Sequence, residues 1–585
     1  MANQLSNYAK VIFLYLMCVI NLLYMHYYII STCGVELGID ITSFYDNFCA
    51  VIFDVSLLFA TLCIITRNHV RTSLGLCFGI TLCWSFCNIL YSRFFFRYIS
   101  FSSLSQTSNL LDWFMLKCMI NEIHWQDFLF IVFILVFCLT YSKTSPKFRF
   151  RRTDYFKSSL IFIAVILTNL VFHLAFCIVN PQLRYFSYYT HRLHLTHMDS
   201  MRNYSLPNWT NYHRGSIRTF CTDMMQSLSG DISLTAKQGQ EIIDEMADMA
   251  NKHTQHEVNP NIKNVIFILV ESYTAFTTDM TIDGREVTPF LNRLKHSPDA
   301  YYNGSMKSNI TIGQSSDGQY IYMAGLLPLR SMITVSVAKK KELPALPKVM
   351  KQFNPSMEMR MVIPTLPSLW EQDAMCQAYG FDALYSSNDY TSHHDRYLTD
   401  EQLFELAKQI DLKSEKPFFS CLITMSMHGP YTSQIDSTFI IQSKKFCPEL
   451  VNFLNACHYT DRQIEKYIMH LKKNGLYDNS LIIIAPDHQV PEVSVNTEQY
   501  GITRELPLFI INGNINNETA WKGECNQIDV FTTILDVLNI DSRWRGLGHT
   551  LLSSTYENSL SAHKWDLSDH ILLSNFFATN SFKMK

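Results

Sequence analysis

The sequence predicts two dissimilar parts: an α-helical membrane anchor of about five transmembrane helices, then an α/β domain with a mostly parallel central sheet. Three observations carry this. Long apolar runs crowd the first third of a 585-residue chain that is 48% hydrophobic overall. From Lys263 onward, short Ile- and Val-rich runs alternate with helical patterns. Several of those runs end in an acidic residue or a histidine. A chain of this length implies more than one domain. Its net charge of −3 offers no reason to expect nucleic acid as a partner.

The anchor comes first. Val11 to Ile30, Ala50 to Ile65, Ser73 to Tyr91, Phe128 to Tyr141 and Ser159 to Val179 are each near the ~20 residues that cross a bilayer as a helix. The first lacks a small-residue cleavage site, so it reads as a span rather than a signal peptide. Lys and Arg fix the orientation. Lys10, Arg67, Arg71 and the segment KTSPKFRFRRTDYFK (Lys143 to Lys157) belong inside, whereas the Ser31 to Phe48 loop has Glu36, Asp40 and Asp46 and no cation. An odd number of spans then puts the chain after about Asn180 outside the cytoplasm. Asp54, within the second span, is either a functional intramembrane charge or a group that lies near an end or faces another helix. Ten of the 16 cysteines precede residue 180, where they act as small hydrophobes; the other six have no zinc-finger spacing and leave disulfide pairing open.

After a polar, aromatic stretch from Tyr185 to about Pro260, NVIFILVES begins a globular pattern. A continuous Ile/Val run of this kind is how a strand buried on both faces of a parallel sheet reads. MRMVIP, FFSCLITMS, LIIIAPDH and LPLFIING repeat the form, and Leu450 to Lys473 is a helix closed by Lys472, Lys473 and Gly475. Alternation of strand and helix implies a mostly parallel sheet, and in such sheets ligands bind beyond the carboxyl ends of the strands. Glu271, His428, Asp487 and His488 follow three of the runs. Singly, each reads as a cap or a solvated side chain; together at one edge they read as a site.

Glu271, Asp487 and His488 offer two carboxylates and an imidazole, a donor set suited to zinc or manganese. GQSSDG brings a hydroxyl, with Gly313 permitting close approach and Asp317 able to cap a following helix. A metal makes a weak hydroxyl nucleophile reactive and draws charge from a phosphoryl oxygen. By itself that motif also fits a plain turn.

NVIFILVES, TPFLNRL, GQSSD, LWEQDAMCQAYGFDALY, TMSMHGPY, the stretch from NACHYTDRQ to IIIAPDHQ, and IDVFTTILDVLNI together resemble lipoteichoic acid synthase and its relatives. These are phosphoglycerol transferases of the sulfatase and alkaline phosphatase superfamily, with the same five-span anchor. The resemblance covers roughly Asn264 to Leu551. It implies a transmembrane domain over 1–180, a juxtamembrane linker over 181–260, a sulfatase-like catalytic domain over 261–555 and a C-terminal tail over 556–585. It further implies that Glu271, Ser315, Asp487 and His488 bind one divalent metal, manganese first, with zinc or magnesium as alternatives. Ser315 stands at the family's nucleophilic threonine, with Ser316 its rival; His428 and Trp370 match substrate-pocket residues. Gln314 and Gln372 stand where the family has a lysine and an arginine, and the family histidine before the tryptophan has no counterpart in VIPTLPSLW. Lost cations weaken binding of an anionic group.

The implied reaction moves a phosphoglycerol-type group from a membrane phospholipid to an extracytoplasmic glycan or lipid acceptor through a seryl intermediate. The rival is a phosphoethanolamine transferase, whose zwitterionic head group tolerates missing cations. A sulfatase proper is disfavoured because no Cys or Ser is followed at x-Pro-x-Arg spacing. A non-catalytic membrane sensor or scaffold is the reading from another class, and the intact metal set stands against it. His393 and His394 beside Asp395 read as solvated, and His458 as packed within its helix. Asn-x-Ser/Thr sequons at Asn203, Asn208, Asn303, Asn309 and Asn517 matter only in a host that glycosylates.

Overall fold

A computed structural model describes residues 2–37, 44–103, 120–144, 211–228 and 230–579, short stretches within them excepted, the longest being 391–396 and 432–444. The chain divides into two compact units, Met1–Ser229 and Gly230–Lys585.

In the first unit the apolar runs become helices α1 (Ala2–Leu37), α2 (Phe44–Ile65), α3 (Val70–Phe95) and α4 (Leu129–Ser142). A bilayer offers backbone groups no partner, so each span must satisfy its own. Among the described residues, four stretches are long and apolar enough to cross: Asn7–Thr32, Asn47–Ile65, Val70–Arg93 and Trp125–Ser142. They coincide with the first four expected spans; the fifth, Ser159 to Val179, lies outside the described residues. Leu14, Cys18 and Leu22 of α1 pack with Val51 and Val55 of α2 and Leu74 and Cys77 of α3. Ile131, Leu135 and Leu139 of α4 remain exposed, which lipid tails accommodate as readily as protein.

Helix α5 (Ser216–Leu228) decides between the two readings of Asp54. The buried Asp54 carboxylate accepts the Ile217 N–H at 3.0 Å and Arg218 Nε at 2.6 Å. It faces another helix and is paired there. Gly215, at φ +97°, makes the approach feasible, because a Cβ on it would lie 2.4 Å from Asp54 Oδ2.

The second unit is built on one eight-stranded sheet. Its strands are β1 (Asn264–Val270), β2 (Ala300–Lys307), β3 (Glu358–Val362), β4 (Ala383–Tyr385), β5 (Phe418–Ile423), β6 (Ser480–Pro486), β7 (Leu506–Ile511) and β8 (Cys525–Asn526). They lie in the order β8-β2-β7-β6-β1-β5-β3-β4. β1 sits between β5 and β6 and is parallel to both. The LPLFIING strand, β7, is the exception, antiparallel to β6 and β2.

The helices that bear on the site are α6 (Ala236–Asn251), α7 (Ser315–Ala324), α8 (Thr334–Ala338), α9 (Gln372–Tyr379), α10 (Asp400–Leu412), α11 (Pro448–Lys473), α12 (Asp529–Val537) and α13 (Ala562–Leu573). Alternation along β1 feeds two cores. Val265, Phe267 and Leu269 pack with Tyr322, Phe531 and Leu535, while Ile266, Ile268 and Val270 pack with Phe453, Leu454, Cys457 and Ile464. Both faces are therefore covered, as the unbroken apolar run requires.

The expected domain boundaries at 261 and 555 are too narrow. Ile242 and Met246 of α6, and Leu567, Ile571 and Leu572 of α13, belong to the first of these cores, together with Phe576 and Phe577. Their apolar stripes are thin and set in polar sequence, which is why the stretches read as linker and tail. All six cysteines beyond residue 180 are free thiols. Asn303 and Asn309 are buried, so those two sequons cannot be glycosylated in the folded chain. His458 is packed as expected, its Nδ1 2.9 Å from the Val287 carbonyl oxygen.

Replacing Leu567, which is 1% exposed, by alanine should lower stability by about 2–4 kcal/mol. Thermal unfolding of the full chain followed by circular dichroism measures it, whereas an unstructured tail would leave the transition unmoved.

Candidate active site

Three adjacent parallel strands deliver the site. Glu271 follows β1, Asp487 and His488 follow β6, and the segment leading to His428 follows β5. The strand ends are tied to one another: Asp487 N–H donates to the Val270 carbonyl at 3.2 Å, and Thr424 N–H to the Leu269 carbonyl at 3.0 Å. Thr424 Oγ1 in turn accepts the Glu271 N–H at 3.0 Å.

The resulting cluster is dense with charge. Ligand-type atoms of Glu271, Asp487 and His488 all lie within 4.8 Å of one another, and all three residues are buried. Ser272 Oγ donates to Glu271 Oε1 at 2.9 Å. Asp487 Oδ1 accepts from the backbone of Ser272 and His488 at 2.8 and 2.7 Å. Its Oδ2, buried, has no hydrogen-bond partner. An orphaned carboxylate oxygen in a dry setting is costly, and a cation is the group that relieves it. His488 Nδ1 lies 2.7 Å from the Gln489 carbonyl oxygen, an arrangement that places the proton on Nδ1 and turns the Nε2 lone pair toward the carboxylates. The donor set thus fits a divalent metal.

The electrostatics show how crowded these charges are. Burial opposes ionisation of Glu271, but the imidazoles of His488 and His428 and its hydrogen bonds outweigh burial and hold its carboxyl below the usual range. Burial, and then the Glu271 charge, push Asp487 up to about 7. Burial works against the His488 imidazolium, but Asp487 and Glu271 raise its pKa nonetheless.

Ser315 enters at the first residue of α7. Its Oγ is 3.2 Å from Glu271 Oε2 and 3.2 Å from His488 Nε2. Ser316 Oγ instead donates to the Gly313 carbonyl at 2.8 Å, so of the two serines only Ser315 faces the cluster. Asp317 Oδ2 accepts the N–H groups of Thr311 and Gly313, at 2.9 and 2.8 Å, and Thr311 Oγ1 at 2.9 Å. It caps the turn before the helix rather than the helix itself. A Cβ on Gly313 would lie 2.1 Å from Asp317 Oδ1, and one on Gly318 would lie 2.0 Å from the Asp487 carbonyl oxygen. Glycine at 318 lets the serine's helix rest directly on the end of β6.

The remaining sequence candidates border this cluster. Gln314 precedes Ser315 at φ 50°, ψ −121°. Gln372 Nε2 donates to Gln319 Oε1 at 3.2 Å, which binds the Trp370 segment to α7. His428 is exposed on the loop after β5, its Nδ1 2.8 Å from the Gly429 carbonyl oxygen. His393, His394 and Asp395 lie outside the described residues.

Two supporting residues escaped sequence reasoning. Asp400 Oδ1 accepts the N–H groups of Met425 and Ser426 at 2.9 and 3.0 Å, and its Oδ2 accepts Thr460 Oγ1 at 2.7 Å. It therefore shapes the loop that carries His428. Gln527 Nε2 donates to the Asp487 carbonyl at 2.7 Å while its Oε1 accepts the Asn309 N–H at 2.8 Å. The only signal that could have pointed to Asp400 is the helix-start pattern TDEQ, where Thr399 caps α10, and Gln527 gave no signal.

Residues 263–540 match the sulfatase family, and residues 1–217 match the lipoteichoic acid synthase N-terminal domain. The chain carries a lipoteichoic acid synthase N-terminal domain followed by a sulfatase domain. Among curated relatives, lipoteichoic acid synthase of Staphylococcus aureus is 24% identical over 497 residues, covering 78% of this chain and 71% of its own length. Among solved structures, lipooligosaccharide phosphoethanolamine transferase A (EptA) from Neisseria meningitidis shares the fold. Its TM-score is 0.53 at 15% identity, over 94% of this chain and 99% of that one. The lipoteichoic acid synthase LtaP from Listeria monocytogenes aligns over 57% of this chain and 97% of its own, with TM-score 0.48 and 19% identity.

Gly318→Ala should force α7 and the end of β6 apart and cost about 1–3 kcal/mol. Thermal unfolding and metal content, measured together, should both fall; an unchanged variant would mean that the close approach does not matter.

Proposed function

We propose that the chain is a metal-dependent transferase that moves a phosphoglycerol-type group from a membrane phospholipid to a glycan or lipid acceptor, with Ser315 as nucleophile. The observation that carries this reading is the convergence of Ser315 Oγ on Glu271 and His488, 3.2 Å from each, beside Asp487 Oδ2, which has no hydrogen-bond partner and lies 3.7 Å from His488 Nε2. Glu271, Asp487, His488 and Ser315 would hold the metal, manganese by resemblance, with zinc or magnesium as alternatives. A divalent cation there supplies the positive charge that lowers the Ser315 hydroxyl pKa and offsets charge on the phosphoryl oxygens.

The chain's own residues do the rest. Ser315, in its alkoxide form, attacks the phosphorus of the donor. The Oγ–P bond forms, and the bond from phosphorus to the diacylglycerol oxygen breaks. His428, doubly protonated with its Nδ1–H donated to the Gly429 carbonyl oxygen, gives the diacylglycerol oxygen its Nε2 proton. An acceptor hydroxyl then attacks the phosphoserine, returns a proton to His428 and releases Ser315. The donor is phosphatidylglycerol and the acceptor an extracytoplasmic glycan or lipid. Lys10, Arg67 and Arg71 at the cytoplasmic ends of the spans support a catalytic unit outside the cytoplasm.

Neutral Gln314 and Gln372 favour a second reading, transfer of phosphoethanolamine. Intact-protein and peptide mass spectrometry after incubation with manganese and both lipids separates the two. A glycerophosphoryl adduct on Ser315, absent from Ser315→Ala and after chelation, is the expected result. An ethanolamine phosphate adduct would reassign the donor, and no adduct without diacylglycerol release would bring the scaffold reading forward.

A further inference from the structure

The short segment Leu369–Glu371 stands out by its backbone. Trp370 and Glu371 are consecutive non-glycine residues in the left-handed region, at φ 56° and 60°. Each costs on the order of 1 kcal/mol, and such strain persists only where the surroundings impose it. Two contacts impose it here. Gln372 is bonded to Gln319, as described above, and Gln319 lies one turn along α7 from Ser315, on the same face, about 6 Å away between Cβ atoms. Glu371 Oε1 is held by Lys339 Nζ at 2.7 Å, with the two side chains only 17% and 19% exposed. Lys339 follows α8, and α8 is itself fastened to the nucleophile's loop. Thr311 Oγ1 donates to the Leu329 carbonyl at 2.7 Å, and the Leu329 N–H donates to Thr334 Oγ1 at 3.0 Å. Both halves of the ion pair are thus anchored to the segment that carries Ser315.

We propose that the Lys339–Glu371 pair is the head-group filter of the Ser315 site, restricting it to uncharged polyol phosphates. This rests on the transferase reading. A largely buried carboxylate is a ready site for an ammonium group. Lys339 fills that position with its own ammonium, so an amino head group would have to displace it or lie against like charge. A polyol meets no such conflict, because its hydroxyls can donate to the remaining lone pairs of Glu371 and exchange hydrogen bonds with glutamine amides. Removing Lys339 leaves a largely buried carboxylate uncompensated, and an incoming ammonium then restores neutrality. Lys339 acts as a specificity-determining residue by excluding the competitor.

The test uses the full chain with manganese and vesicles containing equal amounts of phosphatidylglycerol and phosphatidylethanolamine, with the two phosphoryl adducts on Ser315 quantified by mass spectrometry. Lys339→Met should raise the ratio of ethanolamine to glycerol adduct about tenfold. Lys339→Arg should keep the wild-type ratio, and adding Glu371→Gln to Lys339→Met should bring it back. Without any substitution, soluble glycerol phosphate should inhibit wild-type adduct formation at concentrations where phosphoethanolamine does not. An unchanged ratio in a Lys339→Met protein that still forms adducts would overturn the filter and leave the transferase standing. So would a wild type that prefers ethanolamine, or equal inhibition by the two soluble compounds. Adduct formation from neither lipid in the wild type would remove the transferase reading and the filter with it.

Discussion

Three ionisable groups buried at adjacent strand ends impose the condition that the rest of the second unit meets. Glu271, Asp487 and His488 lie in a dry setting with one carboxylate oxygen lacking any donor. Buried charges persist only when paired or ligated. The backbone does part of this work, since Ser272 and His488 donate to Asp487 Oδ1. A cation held there would complete it. The same placement obliges position 318 to be glycine, aligns Ser315 with the cluster through the Asp317-capped turn, and recruits Gln527 to hold the Asp487 carbonyl.

The membrane unit meets a related demand without a metal. Asp54 is buried against Arg218 and the first turn of α5, and Arg93 and Asp127 form a bidentate pair with both contacts at 2.8 Å. A charge inside an apolar helix bundle is expensive, and in both cases an arginine supplies planar donors that match the carboxylate. These carboxylates find their donors within the protein, in an arginine and a backbone N–H each. The cluster at the sheet edge is different in kind, because its two carboxylates and one imidazole leave an acceptor unsatisfied by protein.

How far the sequence revealed all this follows from the range of the interactions. Strands β1, β5, β6 and β7 were legible because burial on both faces writes an unbroken apolar run, and α11 because its closing lysines and glycine are local signals. Glu271, Asp487 and His488 were legible because chain direction in a parallel sheet puts every strand's carboxyl end on one side. Strand β2, AYYNGSMK, was missed: its polar and glycine positions break the pattern while antiparallel pairing to β7 and a short parallel pairing to β8 hold it. Helices α6 and α13 were missed because their few apolar residues gain meaning only when packed against the sheet. Whether Ser315 or Ser316 faces the cluster depends on the turn before α7, and the role of Asp400 depends on a bond network more than twenty residues along the chain. Neither is written in local composition.

The most direct measurement is manganese binding by the full, chelator-stripped chain, titrated in parallel with Asp487→Asn and followed by the electron paramagnetic resonance of free ion. The account predicts one ion per wild-type chain and loss of most of that affinity in the variant, whose amide cannot supply the anionic oxygen now left without a partner. Equal binding by both proteins, or no uptake by the wild type, would contradict it.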